Sequence, residues 1–88
     1  MRVTITERHC EVPQKGLERT HRHTAALVKF ENRASHAEVV YSEERRSRRV
    51  EVVVSIDGAP PVAAHGEGDE WRSALAQVVE RLRRRLRD

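Results

Sequence analysis

The 88-residue sequence predicts an α+β fold, a βαβββα two-layer sandwich whose four-stranded mixed sheet carries two helices packed on one face. Three observations predict it. Four short segments alternate apolar and polar residues with period two, the mark of half-buried strands. Residues 69 to 88 repeat apolar residues at helical spacing. The chain also opens strand, helix, strand, which requires a right-handed crossover between two parallel strands, and two hairpins then add antiparallel neighbours.

Residues 2 to 7 make the first strand, with Val3 and Ile5 on one face and Arg2, Thr4 and Thr6 on the other. Pro13 suits the first turn of a helix, where its missing N–H would be unpaired anyway, and Glu11 stands near that helix's positive end. From Pro13 to about Asn32, the residues Leu17, Thr20, Thr24, Leu27, Val28 and Phe30 draw a thin apolar stripe. Gly16 inside it costs roughly 1 kcal/mol relative to alanine, and the two threonines add little.

Residues 36 to 42 set Ala37, Val39 and Tyr41 against His36, Glu38 and Val40. Residues 48 to 57 form the strongest strand, with Val50, Val52, Val54 and Ile56 inward and Arg49, Glu51, Val53 and Ser55 outward. The SEERRS segment between them is short enough for an antiparallel hairpin. A turn at Asp57-Gly58-Ala59-Pro60 leads to Val62 and Ala64 on the inward face. Pro60 and Pro61 donate no hydrogen bonds, so this fourth strand is expected at a sheet edge or just after them. Gly66 and Gly68 are expected to break it, and Asp69 to cap the final helix. The stripe of that helix is Trp71, Leu75, Val78, Val79, Leu82 and Leu86, with Arg81, Arg83, Arg84, Arg85 and Arg87 off it.

Composition narrows the function. The length suits one domain over residues 1–88, and Phe30, Tyr41 and Trp71 are the only aromatics, so the core must be aliphatic and an aromatic-lined small-molecule pocket is disfavoured. Cys10 stands alone, which excludes an internal disulfide and fits a reducing compartment. There is no membrane-spanning apolar run and no secretory leader, so a cytoplasmic protein is expected. From Arg72 onward six arginines face Glu80 and Asp88, a local +4 in a chain of net +3, so the positive field concentrates at one end. Fifteen of the seventeen basic residues are arginine, whose planar fork grips phosphate oxygens. A merely solvated helix face and a genomic bias toward arginine are the bland alternatives. Few aromatics argue against a single-strand stacking platform and for recognition of folded RNA by shape and phosphate.

The run Thr4-Ile5-Thr6-Glu7-Arg8-His9-Cys10-Glu11-Val12, the Glu67-Gly68 junction, and the Ala74-Leu75, Arg81-Leu82 and Arg84-Leu86-Arg87 spacing together resemble the ribosome hibernation-promoting factor and ribosome-associated inhibitor family, in its short form. The resemblance implies the βαβββα fold and binding to the small ribosomal subunit and its rRNA, in the channel for messenger and transfer RNA, to silence idle ribosomes under starvation or in stationary phase. It implies contacts from basic residues on both helices. Arg81, Arg84 and Arg87 fall at the family's basic positions on the last helix, and Lys29 matches one late in the first. Arg22 and Arg85, also on those helices, complete the RNA-binding candidates. The sequence departs from the family at His23 and Ala26, where lysine or arginine is common, at Gly16, where a large apolar residue is usual, and at Arg72, which replaces an aromatic beside Trp71. The family's extra C-terminal domain does not follow, so ribosome dimerisation by this chain alone is not expected.

Other chemistries are weaker. His9 with Cys10 and His21 with His23 lack the spacing of a zinc site, so no metal or other cofactor is expected. No carboxylate, serine or histidine is poised with a nucleophile or phosphate loop, so no catalysis is expected. Arg45, Arg46, Arg48 and Arg49 form a second basic cluster, diluted by Glu43, Glu44 and Glu51; an extension of the RNA footprint is one reading, but mixed-sign loops are more often solvated surface, and the cluster stays outside the candidate set. The competing class is a protein-interaction module, or a folded-RNA binder not tied to the ribosome. A monomer is expected, with room for a weak dimer through a sheet edge.

Overall fold

The computed structural model describes residues 1–87 and follows the expected order: β1 (Arg2–Arg8), α1 (Gln14–Ala25), a 3-10 turn (Ala26–Lys29), β2 (Ala34–Glu44), β3 (Ser47–Ile56), β4 (Ala59–Gly68) and α2 (Trp71–Arg87). The sheet order is β1-β2-β3-β4, with β1 parallel to β2 and the other neighbours antiparallel. Strand alternation sends Ala37, Val39, Tyr41, Val50, Val52, Val54 and Ala64 to the helix side, where they close a core with Leu27 and with Trp71, Ala74, Leu75, Val78, Leu82 and Leu86 of α2. The opposite sheet face stays wet, with Thr4, Glu38, Glu51, Ser55, His65 and Glu67 exposed. It is thus a two-layer α+β sandwich with both helices on one face.

The first helix is shorter than expected and differently held. It starts one residue after Pro13, whose extended backbone (ψ 150°) and carbonyl receive the amides of Gly16 and Leu17 at 2.8 and 3.1 Å. It ends at Ala25 and continues only as the 3-10 turn. Thr20 contributes far more than its apolar area suggests, whereas the buried Thr24 hydroxyl has no hydrogen-bond partner among the described residues. Thr20 and Thr24 are fully buried. The Thr20 hydroxyl donates to the Gly16 carbonyl at 2.7 Å, so its oxygen accepts from the Tyr41 phenol. That bond ties the helix to the centre of the sheet, and burial pushes the Tyr41 phenol pKa up. A Cβ on Gly16 would stand 2.8 Å from Val12 Cγ1, so the glycine lets the buried connection ahead of the helix pack close without displacing that valine.

Three other boundaries move. Glu44 pairs with Ser47, so the first hairpin turns on Arg45-Arg46 alone. Gly66 and Gly68 do not break β4: they pair with Val50 and Arg48. A Cβ on Gly66 would clash with the Ala74 carbonyl oxygen and lie 2.9 Å from the Val78 nitrogen, so the glycine is what lets the α2 backbone rest on the strand. At the start of α2 the Ala74 amide bonds the Glu70 carbonyl (3.1 Å), which makes Glu70 the cap residue instead of Asp69. The expected last helical residue, Asp88, lies outside the described residues.

Candidate nucleic-acid interface

The helices lie side by side, and their facing flanks make a groove. Arg19, Arg22 and His23, at i, i+3 and i+4 on α1, form one wall. Arg72, Ala76, Val79 and Glu80 of α2 form the other, over Leu75. Towards the helix N-termini the groove continues into a hollow lined by Lys15, Arg19, Arg48, Trp71 and Arg72, with Glu70 as its one carboxylate. Arg48 reaches it from β3 and lies over the Trp71 indole, 5.2 Å from the ring centre, while Trp71 packs edge-on against Tyr41. Basic side chains from three elements thus line one track across the helical face.

Its charge is mostly not neutralised. Among the described residues, Lys15, Arg19, Arg22 and Arg72 take part in no ion pair. Arg48 pairs with Glu43 at 3.3 Å. Glu80, on the groove wall, is engaged by Arg83 at 2.6 and 3.0 Å and by Arg84 at 3.3 Å. The Arg83 hydrogen bonds hold the Glu80 carboxyl below its ordinary range, and Glu80 in turn holds Arg83 above its own. Clustered free guanidinium groups over a shallow polar groove are suited to phosphodiester groups, each of which a guanidinium can grip through two parallel N–H···O bonds.

The six residues expected from sequence do not share this track. Arg22 lies in it. Lys29 is exposed at the end of the 3-10 turn, its Nζ 5.5 Å from the Phe30 ring centre. Arg84 sits on the solvent crest of α2 beside Glu80, and Arg87 is exposed. Arg81 and Arg85 face the other way, towards the free edge of β4. Arg81 Nη1 donates to the His65 carbonyl at 2.6 Å, Arg85 Nη1 donates to the Ala63 carbonyl, and Gln77 Oε1 accepts from the Glu67 amide at 2.8 Å. Every fourth helical residue meets every second strand residue, because about 6 Å of helix matches about 6.7 Å of strand. The row covers backbone groups that a neighbouring strand would otherwise use. Sequence reading missed Lys15, Arg19 and Arg72 as groove residues. The three-residue spacing of Arg19 and Arg22 was the available signal for the α1 wall.

Other reactive groups give no site. Cys10 Sγ donates to the Tyr41 carbonyl at 3.5 Å, and partial burial, with Glu7 and Glu43 nearby, raises the thiol pKa and keeps it protonated. Among the described residues no three His, Cys, Asp or Glu side chains come together to hold a metal ion. No described helix is long and apolar enough to cross a membrane.

Comparison with known proteins adds three findings. The family model described as "Sigma 54 modulation protein / S30EA ribosomal protein" matches residues 3–88. Among solved structures, the fold is similar to the N-terminal domain of Thermus thermophilus Protein Y, at 21% identity and a TM-score of 0.86 over 99% of this chain and 97% of that one. It is also similar to a ribosomal subunit interface protein from Coxiella burnetii, at 16% identity and a TM-score of 0.85 over 98% of this chain and 93% of that one. No curated protein matches in sequence.

Proposed function

We infer from two premises, that the chain belongs to the sigma 54 modulation protein / S30EA ribosomal protein family and that its helices enclose a groove of unneutralised arginines, that it binds small-subunit ribosomal RNA and silences idle ribosomes. As a member of that family it is a ribosome-associated protein and not an enzyme. The finer reading is that residues 1–88 act in the cytoplasm as a single ribosome-binding domain, seated in the channel for messenger and transfer RNA under starvation or in stationary phase. Arg19, Arg22 and Arg72 carry it, because they are adjacent, accessible and without a carboxylate partner among the described residues. Lys29, Arg84 and Arg87 extend the contact along the exposed helical surface, and Arg81 and Arg85 add field from its flank.

The competing protein-interaction reading relies on an open sheet edge, and β4's edge is covered by Gln77, Arg81 and Arg85. That favours a monomer, with β1 as the one remaining edge for a weak dimer. Co-sedimentation with purified small subunits at rising salt tests the proposal. The three groove arginines alone account for a log–log slope of about −2 to −3, and the further basic contacts steepen it. The variant R19A/R22A/R72A is expected to bind at least tenfold more weakly with a flatter slope. Unchanged binding by it would remove the groove from the contact, and salt-independent binding would remove the RNA.

A further inference from the structure

The first hairpin outruns its neighbours. β1 stops pairing at Arg8–Ser42 and β4 at Arg48–Gly68, whereas β2 and β3 continue to Glu44–Ser47 and turn on Arg45-Arg46. Strand alternation separates the four arginines that the sequence clusters here. Arg48 goes to the helix side, over Trp71 and bonded to Glu43. Arg49 goes to the open face, where it bonds Glu67 at 2.8 Å and Glu51 at 3.5 Å. Arg45 and Arg46 remain at the tip, exposed and without an ion pair among the described residues, although Glu44 and Asp69 line the same hollow.

The backbone adds a second observation. Arg45 has φ 55°, a left-handed conformation that glycine or asparagine adopts readily and an arginine only at a cost. Turn geometry therefore does not account for arginine at this position, and local ion pairing does not account for its side chain. The guanidinium is therefore left free for a ligand. The tip is also joined to the groove: Arg48, at the base of the hairpin, lines the hollow that holds Lys15, Arg19 and Arg72.

We propose that Arg45 and Arg46 form a second phosphate-gripping point, a projecting arm that holds the backbone of an RNA strand as it leaves the interhelical groove. This rests on the RNA-binding reading above and extends the contact from the helices to the sheet layer.

The test uses the full chain, purified small subunits, and protein-free small-subunit rRNA as a second probe. R45N/R46Q removes both charges and places at position 45 a residue at ease in the left-handed region, so its melting temperature is expected to hold or rise. Its affinity for both probes is expected to fall about tenfold, with the salt slope shallower by about 1 to 2, one to two phosphate contacts' worth. If R45N/R46Q binds like the wild type while R19A/R22A/R72A loses binding, the arm is overturned and the groove stands. If the loss appears with subunits and not with protein-free rRNA, the arm touches ribosomal protein and the phosphate assignment is overturned. If the wild-type chain binds neither probe, both readings fall.

Discussion

The two flanks of α2 carry the same residue type to opposite ends. Towards α1, Arg72 meets Arg19 and Arg22 and no carboxylate partner among the described residues, so its charge is available to a ligand. Towards β4, Arg81 and Arg85 each commit a donor to a strand carbonyl, so part of their capacity closes the sheet edge. A helix supplies arginines to several faces, and the element packed beside each face decides whether they stabilise or bind. A carbonyl partner fixes a guanidinium without cancelling its charge, while a carboxylate such as Glu80 does both.

The change with the largest expected effect removes the seat on which both flanks depend. In G66A the new methyl meets the backbone of α2 at Ala74 and Val78, where nothing flexible can yield. The helix must lift from β4, moving Arg72 out of the groove and Arg81 and Arg85 off the edge together. Overpacking of this kind costs about 3 kcal/mol, measurable by denaturant unfolding, and binding to small subunits is expected to weaken in the fraction that stays folded. Wild-type stability in G66A would mean that the close approach of helix and strand is not what sets the two flanks.

A narrower change separates the flanks. In R81A/R85A the groove keeps its arginines, and β4 loses two of the three side chains covering its edge. Two exposed hydrogen bonds lost amount to about 1 kcal/mol of stability. Uncovered edge groups favour strand pairing between copies, so sedimentation velocity is expected to show self-association at high protein concentration. Small-subunit affinity is expected to fall less than in R19A/R22A/R72A. An equal or greater fall would place the main RNA contact on the β4 side.

Much of this was readable from sequence. Alternation in β2 and β3 and the stripe of α2 fix sheet and helix without tertiary information, because each face is either wet or buried along its whole length. The misses share a cause: each depends on what lies across a gap. Thr20 looks like a poor helix residue until Tyr41 stands opposite it, and Gly66 looks like a strand breaker until α2 lies on it. Arg81 was aligned with Arg84 and Arg87 by family position, yet the turn between 81 and 84 carries the first to the strand edge and the second to the crest. Arg72 was noted as a departure from an aromatic position, but only the neighbouring α1 shows it as a groove residue.

The smallest effect concerns the crest, between the two flanks. Glu80 is the carboxylate on which Arg83 and Arg84 converge, and those hydrogen bonds lower its pKa. A carboxyl depressed in the folded state contributes its stabilisation above the unfolded pKa and loses it as pH falls through the lower folded value, so at neutral pH the clamp is fully engaged. Acidification would release it at a lower pH than an unpaired glutamate requires. The substitution E80Q releases it at neutral pH. Two guanidinium groups then face solvent beside the groove, and one negative charge that repels phosphate is gone. Affinity for small subunits is expected to rise about threefold with a steeper salt slope, the scale of one exposed ion pair, while the helix loses little because the pair is solvated. Unchanged affinity would confine the RNA contact to the α1 flank, and a fall would mean that Glu80 itself positions a side chain the RNA needs.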